Sequence, residues 1–499
     1  MTILCIAEVS HDTNFTIYKD NKFYYFSAER FYNYKKATMS FEEVFVKSIN
    51  FLKKNFNDRT IDLIVISLCD TGTIFFKKNT LFEKINISSL FYDKNNINDI
   101  PVYILDHHYA HVLSSKALND KANVGIAIDG AGCFGRGATI FKNLNDINHT
   151  EFFPLEKKAI GAFFTNLALS TKTKKVGKLM GLQSYGKMET DFYNDLNKIG
   201  LEKEDEMEEK LYQSFYDLKL DKNENFDKVF TAHQFAVDGI TKLFYEYFNK
   251  TEDIAYGGGC ALSIPANTKL LKEGFNITVC PAANDSGISI GCLKFADILL
   301  NLNIDFSNIE FSYGDKDVGY ADDKLIKIAA TLLAKGKIIG WCQGFGEAGP
   351  RALGHRSFLM NPSMVNGKDF INDKIKHREW WRPFGGSIIK TDVLKQYVPS
   401  NLDKYMLRSF EFKDEFKEKF QSIIHVDNTS RLQIVDNSNS VFYKLINEFY
   451  KLTGIPGVLN TSYNLGGYPI ANTRDNIIKV FNGCDDLNFL FIGNKLISK

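Results

Sequence analysis

Residues 124–130 read Val-Gly-Ile-Ala-Ile-Asp-Gly, and residues 254–259 read Ile-Ala-Tyr-Gly-Gly-Gly. Each segment is a short apolar run that ends in glycine, a pattern that predicts a buried strand followed by a tight turn. A further strand accompanies each one, at Ala138–Phe141 and at Ile277–Val279. Glycine-containing turns line ligand clefts, because only glycine lets backbone amides approach a phosphate closely. The two blocks therefore predict an α/β fold with two lobes and a cleft between them.

Strand and helix patterns continue on both sides of these blocks. Ile3–Val9 and Phe15–Phe26 are apolar-rich strand segments with a polar turn at residues 19–22. Ser40 and Glu43 form a capping box, which predicts the start of a helix. The other predicted elements are the helix Phe41–Phe56, the strands Asp62–Leu68 and Val102–Leu105, a helix that ends at Leu300, the helix Asp323–Ala334 and the strand Lys337–Trp341.

The chain has 499 residues. A single hydrophobic core does not support a chain of this length. We predict a first domain over residues 1–310 and a second over residues 323–499, with the crossing between them in residues 301–322. Within the first, Leu201–Asn225 is rich in Glu, Lys and Asp and predicts a solvated helical insertion.

Composition excludes several classes of function. Lys and Arg number 61 against 60 Asp and Glu, so we predict neither a nucleic-acid partner nor a membrane partner. No apolar run approaches the about 18 residues of a membrane span. Residues 1–7 lack a basic segment and a cleavage site, so they are expected to form a strand. The eight cysteines are scattered without a Cys-x-x-Cys pair, which favours a reduced, cytoplasmic chain.

Four residues predict a metal site. His107 and His111 are four residues apart in a helix-compatible segment, so their imidazoles project on one face. Asp129 and Asp285 each follow a predicted strand, where α/β folds place ligands. Two imidazoles and two carboxylates suit Fe(II), Mn(II) or Zn(II). A histidine pair alone is equally typical of an exposed or packed helix start, so the two acids carry the prediction.

Two further features indicate chemistry. His11 follows the first strand and is a candidate base for a hydroxyl group, although it is also placed to cap a hairpin. Only ten basic residues are Arg, and seven of them lie between Arg351 and Arg474. Arg351 and Arg356, five residues apart among small residues, predict an anion cradle. Arg378, Arg382, Arg431, Ser462 and Asn464 extend this region, which favours a nucleotide or acyl-phosphate site.

The chain resembles the O-carbamoyltransferases of the nodulation-protein and antibiotic-tailoring type over essentially its whole length. The most specific motifs are Gly349-Pro-Arg-Ala-Leu-Gly354 and Leu459-Asn-Thr-Ser462. The other matching segments are His11-Asp12, Glu29-Arg30 with Lys35, His107-His-x-x-His111, Asp129-Gly130, residues 177–186, Gly258-Gly-Cys-Ala-Leu262, Pro281-Ala-Ala-Asn-Asp285 and Arg382-Pro-Phe384. Ser263 stands where the family commonly has Asn, and Val176 where an acidic residue is common.

The resemblance implies a two-lobed actin/hexokinase-like, or ribonuclease-H-like, N-terminal domain and an α/β YrdC-like C-terminal domain. It implies that carbamoyl phosphate and ATP, with Mg²⁺, form carbamoyl-adenylate in the second domain. The carbamoyl group is then transferred to a hydroxyl of a small-molecule or sugar acceptor in the first domain, beside a divalent metal, Fe(II) in the family.

The resemblance also assigns residue roles. The metal ligands map onto His107, His111, Asp129 and Asp285, and the base onto His11. Lys35 is implied as a catalytic and nucleotide-binding lysine. The remaining cofactor contacts map onto Gly258, Gly259, Arg351, Arg382, Arg431, Ser462 and Asn464.

Two other functions are alternatives to this one. A tRNA threonylcarbamoylation enzyme uses related domains, but the sequence has no basic tract for RNA. A nucleotide-dependent binding module without chemistry would not need a base facing a metal. The sequence leaves open the acceptor and the oligomeric state, a homodimer included.

Overall fold

The computed structural model describes residues 1–8, 11–68, 80–86, 100–130, 132–155, 159–215, 226–309, 312–314, 317–437 and 440–499. The chain forms two compact units. The first unit contains residues 1–32 and 36–309, and the second contains residues 33–35 and 310–499. Within the described residues, no helix has both the length and the apolar character that a membrane span requires.

Two sheets form the frame of the first unit. One has the strand order β3-β2-β1-β4-β6-β5, and the other has the order β11-β10-β7-β8-β9. The strands of the first sheet are β1 Thr2–Glu8, β2 Asn14–Lys19, β3 Lys22–Ser27, β4 Leu63–Leu68, β5 Phe82–Asn86 and β6 Pro101–Leu105. Those of the second are β7 Val124–Ile128, β8 Ala138–Lys142, β9 Glu151–Leu155, β10 Asp253–Gly257 and β11 Asn276–Thr278.

Both sheets repeat one topology. In the first, β1, β2 and β3 form an antiparallel meander, and β4 and β6 continue the sheet parallel to β1. In the second, β7, β8 and β9 form the meander, and β10 and β11 continue it parallel to β7. This doubled arrangement confirms the predicted two-lobed, ribonuclease-H-like fold. The apolar segment Phe15–Phe26 is a hairpin of two strands, β2 and β3, because Asp20 and Asn21 make a left-handed turn.

The helices of the first unit cover the two sheets. Helix Phe41–Phe56 has the predicted bounds, and the Ser40 side chain caps it by accepting a hydrogen bond from the Glu43 amide. In the predicted charged insertion, the helix Glu204–Phe215 buries Met207, Leu211 and Phe215, whereas residues 216–225 lie outside the described residues. The remaining helices are Ala28–Tyr32, His107–Lys116, Ile160–Ser170, Val176–Leu182, Thr190–Ile199, Asp227–Tyr247, Ile264–Lys272 and Ile288–Leu300.

The second unit is built on one sheet of eight strands in the order β15-β16-β14-β17-β13-β12-β18-β19. It is α/β, as predicted, and its YrdC-like character stays a prediction. The strands are β12 Ile339–Cys342, β13 Arg356–Met360, β14 Gly385–Ile388, β15 Ser409–Glu411, β16 Thr429–Ile434, β17 Gly457–Ser462, β18 Phe489–Ile492 and β19 Lys495–Ser498. The helices are Asp323–Ala334, Gly367–Phe370, the π-helix Ile371–Lys376, Ser440–Thr453 and Arg474–Asn482.

Helix His107–Lys116 lies at the centre of the first unit and packs against helix Ile288–Leu300. The two helices approach closely at Gly291, where a Cβ atom would lie 1.8 Å from the Ala110 carbonyl oxygen. His107 begins the first of these helices, and Asp285 lies three residues before the second. The packing of the two helices therefore also sets the distance between these predicted metal ligands.

We expect Gly291→Ala to force the two helices apart and to lower the free energy of unfolding by roughly 1–3 kcal/mol. Thermal denaturation measures the effect. Gly177→Ala is the matched control, because a Cβ there would meet nothing within 4 Å and alanine favours a helix over glycine. Equal melting temperatures for the two variants would contradict the role of Gly291.

Candidate functional site

The structure brings the four predicted metal ligands together in the first unit. His107 and His111 lie on one helix, Asp129 follows β7, and Asp285 follows β11. One ligand atom from each residue lies within 4.8 Å of the others. His111 Nε2 is 2.9 Å from Asp129 Oδ2 and 3.4 Å from Asp285 Oδ1. His107 Nε2 is 3.6 Å from each of the same two carboxylate atoms. We call this set the His–Asp cluster.

The charges of the His–Asp cluster compensate one another. Burial lowers the pKa of His111, but hydrogen bonds to Asp129 and Asp285 outweigh burial and raise this pKa to about 9. Burial likewise opposes ionisation of Asp129, yet hydrogen bonds from His107 and His111 hold its pKa well below the usual range. The two Nε2 atoms are only 3.2 Å apart. Two imidazole nitrogens and two carboxylate oxygens converging on one point fit a divalent transition metal.

The glycine turn after β10 packs directly beneath this cluster. A Cβ at Gly259 would lie 3.0 Å from Asp129 Oδ1. Gly258 has a φ of +89°, and a Cβ there would lie 2.3 Å from the Ile128 carbonyl oxygen. The Gly258 amide donates to the Ala283 carbonyl, at 3.0 Å. The two glycines therefore allow the turn to pack closely against Asp129, one of the predicted metal ligands. Their contact with a nucleotide stays a prediction.

His11 lies beside the His–Asp cluster with its ring partly exposed. Its Nδ1 atom is 3.1 Å from Asp12 Oδ2 and 3.5 Å from Asp285 Oδ2. The hydrogen bond to Asp12 raises the pKa of His11, and the Asp285 charge adds to this effect against burial. The Asn14 side-chain amide donates to the carbonyls of Asp12 and Asp285, at 2.9 and 2.7 Å. The carboxylate thus holds Nδ1, which is the arrangement that orients a histidine base.

A second group of predicted residues lies together in the second unit. Arg351, Arg382 and Arg431 interact through mutual charge repulsion. The Nε atoms of Arg351 and Arg431 are shielded from solvent and lack a hydrogen-bond partner. In the part of the chain that the structure describes, no hydrogen bond or ion pair joins either guanidinium to another residue. Both side chains are half-buried, and crowded positive charge that is partly shielded from water is costly without compensation, so this arrangement favours an anionic ligand.

Lys376 and Arg378 complete this group, which we call the cationic cluster: Arg351, Lys376, Arg378, Arg382 and Arg431. The Lys376 ammonium donates to the Ser462 carbonyl and lies 2.9 Å from Asn464 Oδ1 and 3.4 Å from Ser462 Oγ. Ser462 and Asn464 are therefore brought together, with Ser462 Oγ 2.6 Å from Asn464 Oδ1. Sequence reasoning missed Lys376, which ends a π-helix; such helices often mark functional sites.

Burial and mutual charge repulsion lower the pKa values of the arginines in the cationic cluster. Burial, together with the charge of Arg382, lowers the pKa of Arg351 to about 10 and that of Arg378 to about 9. Burial and the charges of Arg351, Arg378 and Arg382 hold the pKa of Arg431 well below its usual range. Glu379 supplies a carboxylate beside the cluster, with its Oε2 3.7 Å from Arg382 Nη1.

Lys35 groups with the second unit, although chain position alone suggests the first domain. Burial lowers the pKa of Lys376 well below its usual range, and the charges of Arg378, Lys35 and Arg382 lower it further. Lys35 therefore contributes positive charge to the surroundings of the cationic cluster.

Arg356 does not belong to the anion cradle that its spacing predicts. Its guanidinium is fully buried and donates to the carbonyls of Gln343, His355 and Gly344, at 2.7, 3.0 and 3.0 Å. These backbone acceptors occupy the donors that an anion would need. The prediction is therefore wrong for Arg356, whose side chain supports the loop that carries Arg351.

Comparisons with known proteins match both halves of the chain. A family model for the carbamoyltransferase N-terminus matches residues 71–293, and one for the carbamoyltransferase C-terminus matches residues 330–499. The nodulation protein NolNO of Sinorhizobium fredii is 28% identical over 448 residues, covering 80% of this chain and 64% of that protein. An uncharacterized protein of Methanocaldococcus jannaschii is 27% identical over 537 residues, covering 100% of this chain and 99% of its own.

Similarity to solved structures is lower. Full-length HypF in a phosphate- and nucleotide-bound form is 16% identical with a TM-score of 0.35, covering 61% of this chain and 56% of that chain.

We expect His111→Ala to abolish stoichiometric binding of a divalent metal, because it removes one of two nitrogen ligands. Elemental analysis of the purified protein measures the loss. His149→Ala is the matched control, since His149 is exposed and pairs with Asp146. Full metal content in His111→Ala would contradict the assignment of the His–Asp cluster.

We expect sulfate binding to the cationic cluster to take up a proton. An anion beside Lys376 stabilises the ammonium, so the lowered pKa of the free site rises toward the ordinary lysine value of about 10.4. Affinity should therefore fall as pH rises between these two pKa values. Calorimetry in buffers of different ionisation enthalpy counts the proton, and sulfate itself does not titrate there. Uptake that persists in Lys376→Met would place the proton elsewhere.

Proposed function

The chain belongs to the carbamoyltransferase family, and we propose that it is an ATP-dependent O-carbamoyltransferase that acts on a hydroxyl of a small-molecule or sugar acceptor. The observation that carries the proposal is the presence, in one chain, of two sites with opposite electrostatics. The cationic cluster suits phosphates, and the His–Asp cluster with His11 suits deprotonation of a hydroxyl beside a metal.

The first half-reaction belongs to the cationic cluster. Carbamoyl phosphate, ATP and one water molecule give carbamoyl-adenylate, phosphate and pyrophosphate. Arg351, Arg382 and Arg431 bind the phosphate groups, because guanidinium forks match phosphate oxygens and the clustered charge stabilises the negative charge that develops. Lys376 is held at a fixed position by Ser462 and Asn464 and contributes positive charge.

The second half-reaction belongs to the first unit. His11 accepts the proton of the acceptor hydroxyl at Nε2 while Asp12 holds Nδ1. The hydroxyl oxygen bonds to the carbamoyl carbon, and the bond from that carbon to the AMP oxygen breaks, which releases AMP. His107, His111, Asp129 and Asp285 would hold a divalent metal, Fe(II) by family resemblance. Such an ion supplies a Lewis acid for the carbamoyl oxygen.

Supporting groups keep these residues in place. Tyr25 donates its hydroxyl hydrogen to the Ser286 carbonyl at 2.5 Å, and the Asn14 side chain accepts from the Ser289 amide at 3.1 Å. Both contacts anchor the turn that carries Asp285 to the β2–β3 hairpin. A binding module without chemistry does not need a histidine that a carboxylate orients beside a metal site. The placement of His11 beside Asp12 and the His–Asp cluster therefore favours an enzyme.

The two half-reactions can be separated by mutation. A panel of nucleotide sugars is first screened for an acceptor, and pyrophosphate release and acceptor carbamoylation are then measured on the same preparation. We expect Arg351→Ala to lower pyrophosphate release at least about tenfold, because it removes a charge-assisted phosphate contact. We expect His11→Asn to keep pyrophosphate release and to lower transfer by a factor on the order of 10²–10⁴.

Each variant is the control for the other. Parallel losses of both activities in His11→Asn would rule out a general-base role, since they would mean that His11 only supports the fold. Undiminished pyrophosphate release in Arg351→Ala would place phosphate binding outside the cationic cluster.

A further inference from the structure

Glu347 lies in the loop between β12 and β13, four residues before Arg351. Its side chain is completely buried. One carboxylate oxygen, Oε1, accepts hydrogen bonds from the backbone amides of Leu353, His355 and Arg356, at 2.9, 2.8 and 2.9 Å. A single charged atom therefore organises the turn that directly follows Arg351.

Arg356 complements Glu347 within the same loop. The Glu347 carboxylate accepts hydrogen bonds from backbone amides within residues 353–356. The Arg356 guanidinium donates hydrogen bonds to backbone carbonyls within residues 343–355. Both side chains are fully buried, and together they carry no net charge. Bonds to an ionised group are about twice as strong as neutral ones, so the loop has one strongly favoured conformation.

The loop is also tied to the strands that carry the other phosphate-binding candidates. The Gln433 side-chain amide on β16 donates to the Leu353 carbonyl at 2.9 Å, two residues beyond Arg431. The Asn460 side-chain amide on β17 donates to the Ala352 carbonyl at 3.1 Å, two residues before Ser462. The donors lie on two strands of the site, and the acceptors are the carbonyls of the first two residues after Arg351.

We propose that Glu347 is the positioning residue of Arg351: its carboxylate sets the turn that holds the Arg351 guanidinium in the cationic cluster. The inference rests on the proposed phosphate-binding function of that cluster. Arg431 does not depend on Glu347 in this way, because it lies within β16, where backbone pairing with β14 and β15 fixes its position. Glu347 should therefore act through Arg351 alone.

Glu347→Gln is the informative substitution because it keeps the volume and an acceptor oxygen and removes only the charge. Pyrophosphate, a product of the proposed first half-reaction, is the probe, and calorimetry on the full chain gives its dissociation constant. We expect Glu347→Gln to weaken binding at least tenfold. In an Arg351→Ala background the same substitution should change binding less than twofold, whereas in an Arg431→Ala background it should keep its full effect.

The outcomes separate this inference from the proposed function. Wild-type affinity in Arg351→Ala would overturn the phosphate site itself. A loss in Arg351→Ala, combined with an equal effect of Glu347→Gln in all three backgrounds, would overturn only the role of Glu347. If Glu347→Gln does not fold, Glu347→Asp replaces it in the same cycle, because it keeps the charge and withdraws the carboxylate by one methylene. Thermal denaturation of each full-chain variant serves as the folding control.

Discussion

The uncompensated charge of Arg351 and Arg431 is the constraint on which the second unit depends. Holding half-buried guanidinium groups without a carboxylate partner costs free energy, and the charges of Arg378 and Arg382 add to that cost. Other contacts in the second unit have to offset this free-energy cost. The buried Glu347 carboxylate, with its three amide partners, and the hydrogen bonds of Lys376 serve this purpose. If the cluster binds an anion as proposed, these contacts preorganise it and less reorganisation accompanies binding.

The first unit solves the opposite problem. In the His–Asp cluster, two carboxylates face two imidazoles, and a proton on His111 balances part of the negative charge. The duplicated sheet topology makes this convergence possible. The predicted metal ligands follow β6 of the first sheet and β7 and β11 of the second, and they meet at one point. Close packing is equally necessary. Gly259 against Asp129 and Gly291 against Ala110 leave no room for a side chain.

Much of this arrangement follows from local sequence. Strand-ending acids and an i, i+4 histidine pair are local signals, and the structure brings His107, His111, Asp129 and Asp285 together. Tertiary signals are different. Arg351 and Arg356 look alike in sequence, yet backbone carbonyls surround only Arg356. Lys376 stands in a lysine-rich run and is distinguished only by the π-helix that buries it. The turn that divides Phe15–Phe26 is, by contrast, a local signal: a polar turn is predicted at residues 19–22, and Asp20 and Asn21 form it.

The two proposed half-reactions draw on different electrostatics in this chain. The proposed phosphate site is a cluster of positive charges, and the proposed metal site contains the two carboxylates of Asp129 and Asp285. If Arg351 and Arg431 lay beside Asp129 and Asp285, they would form ion pairs, and neither set would remain open to its ligand. Placing the two clusters in separate units, one built on two sheets and the other on one, avoids this neutralisation. In the proposed reaction the carbamoyl-adenylate is a mixed anhydride, which water can hydrolyse before transfer. The residues that bind its phosphate therefore set how much of it reaches the acceptor.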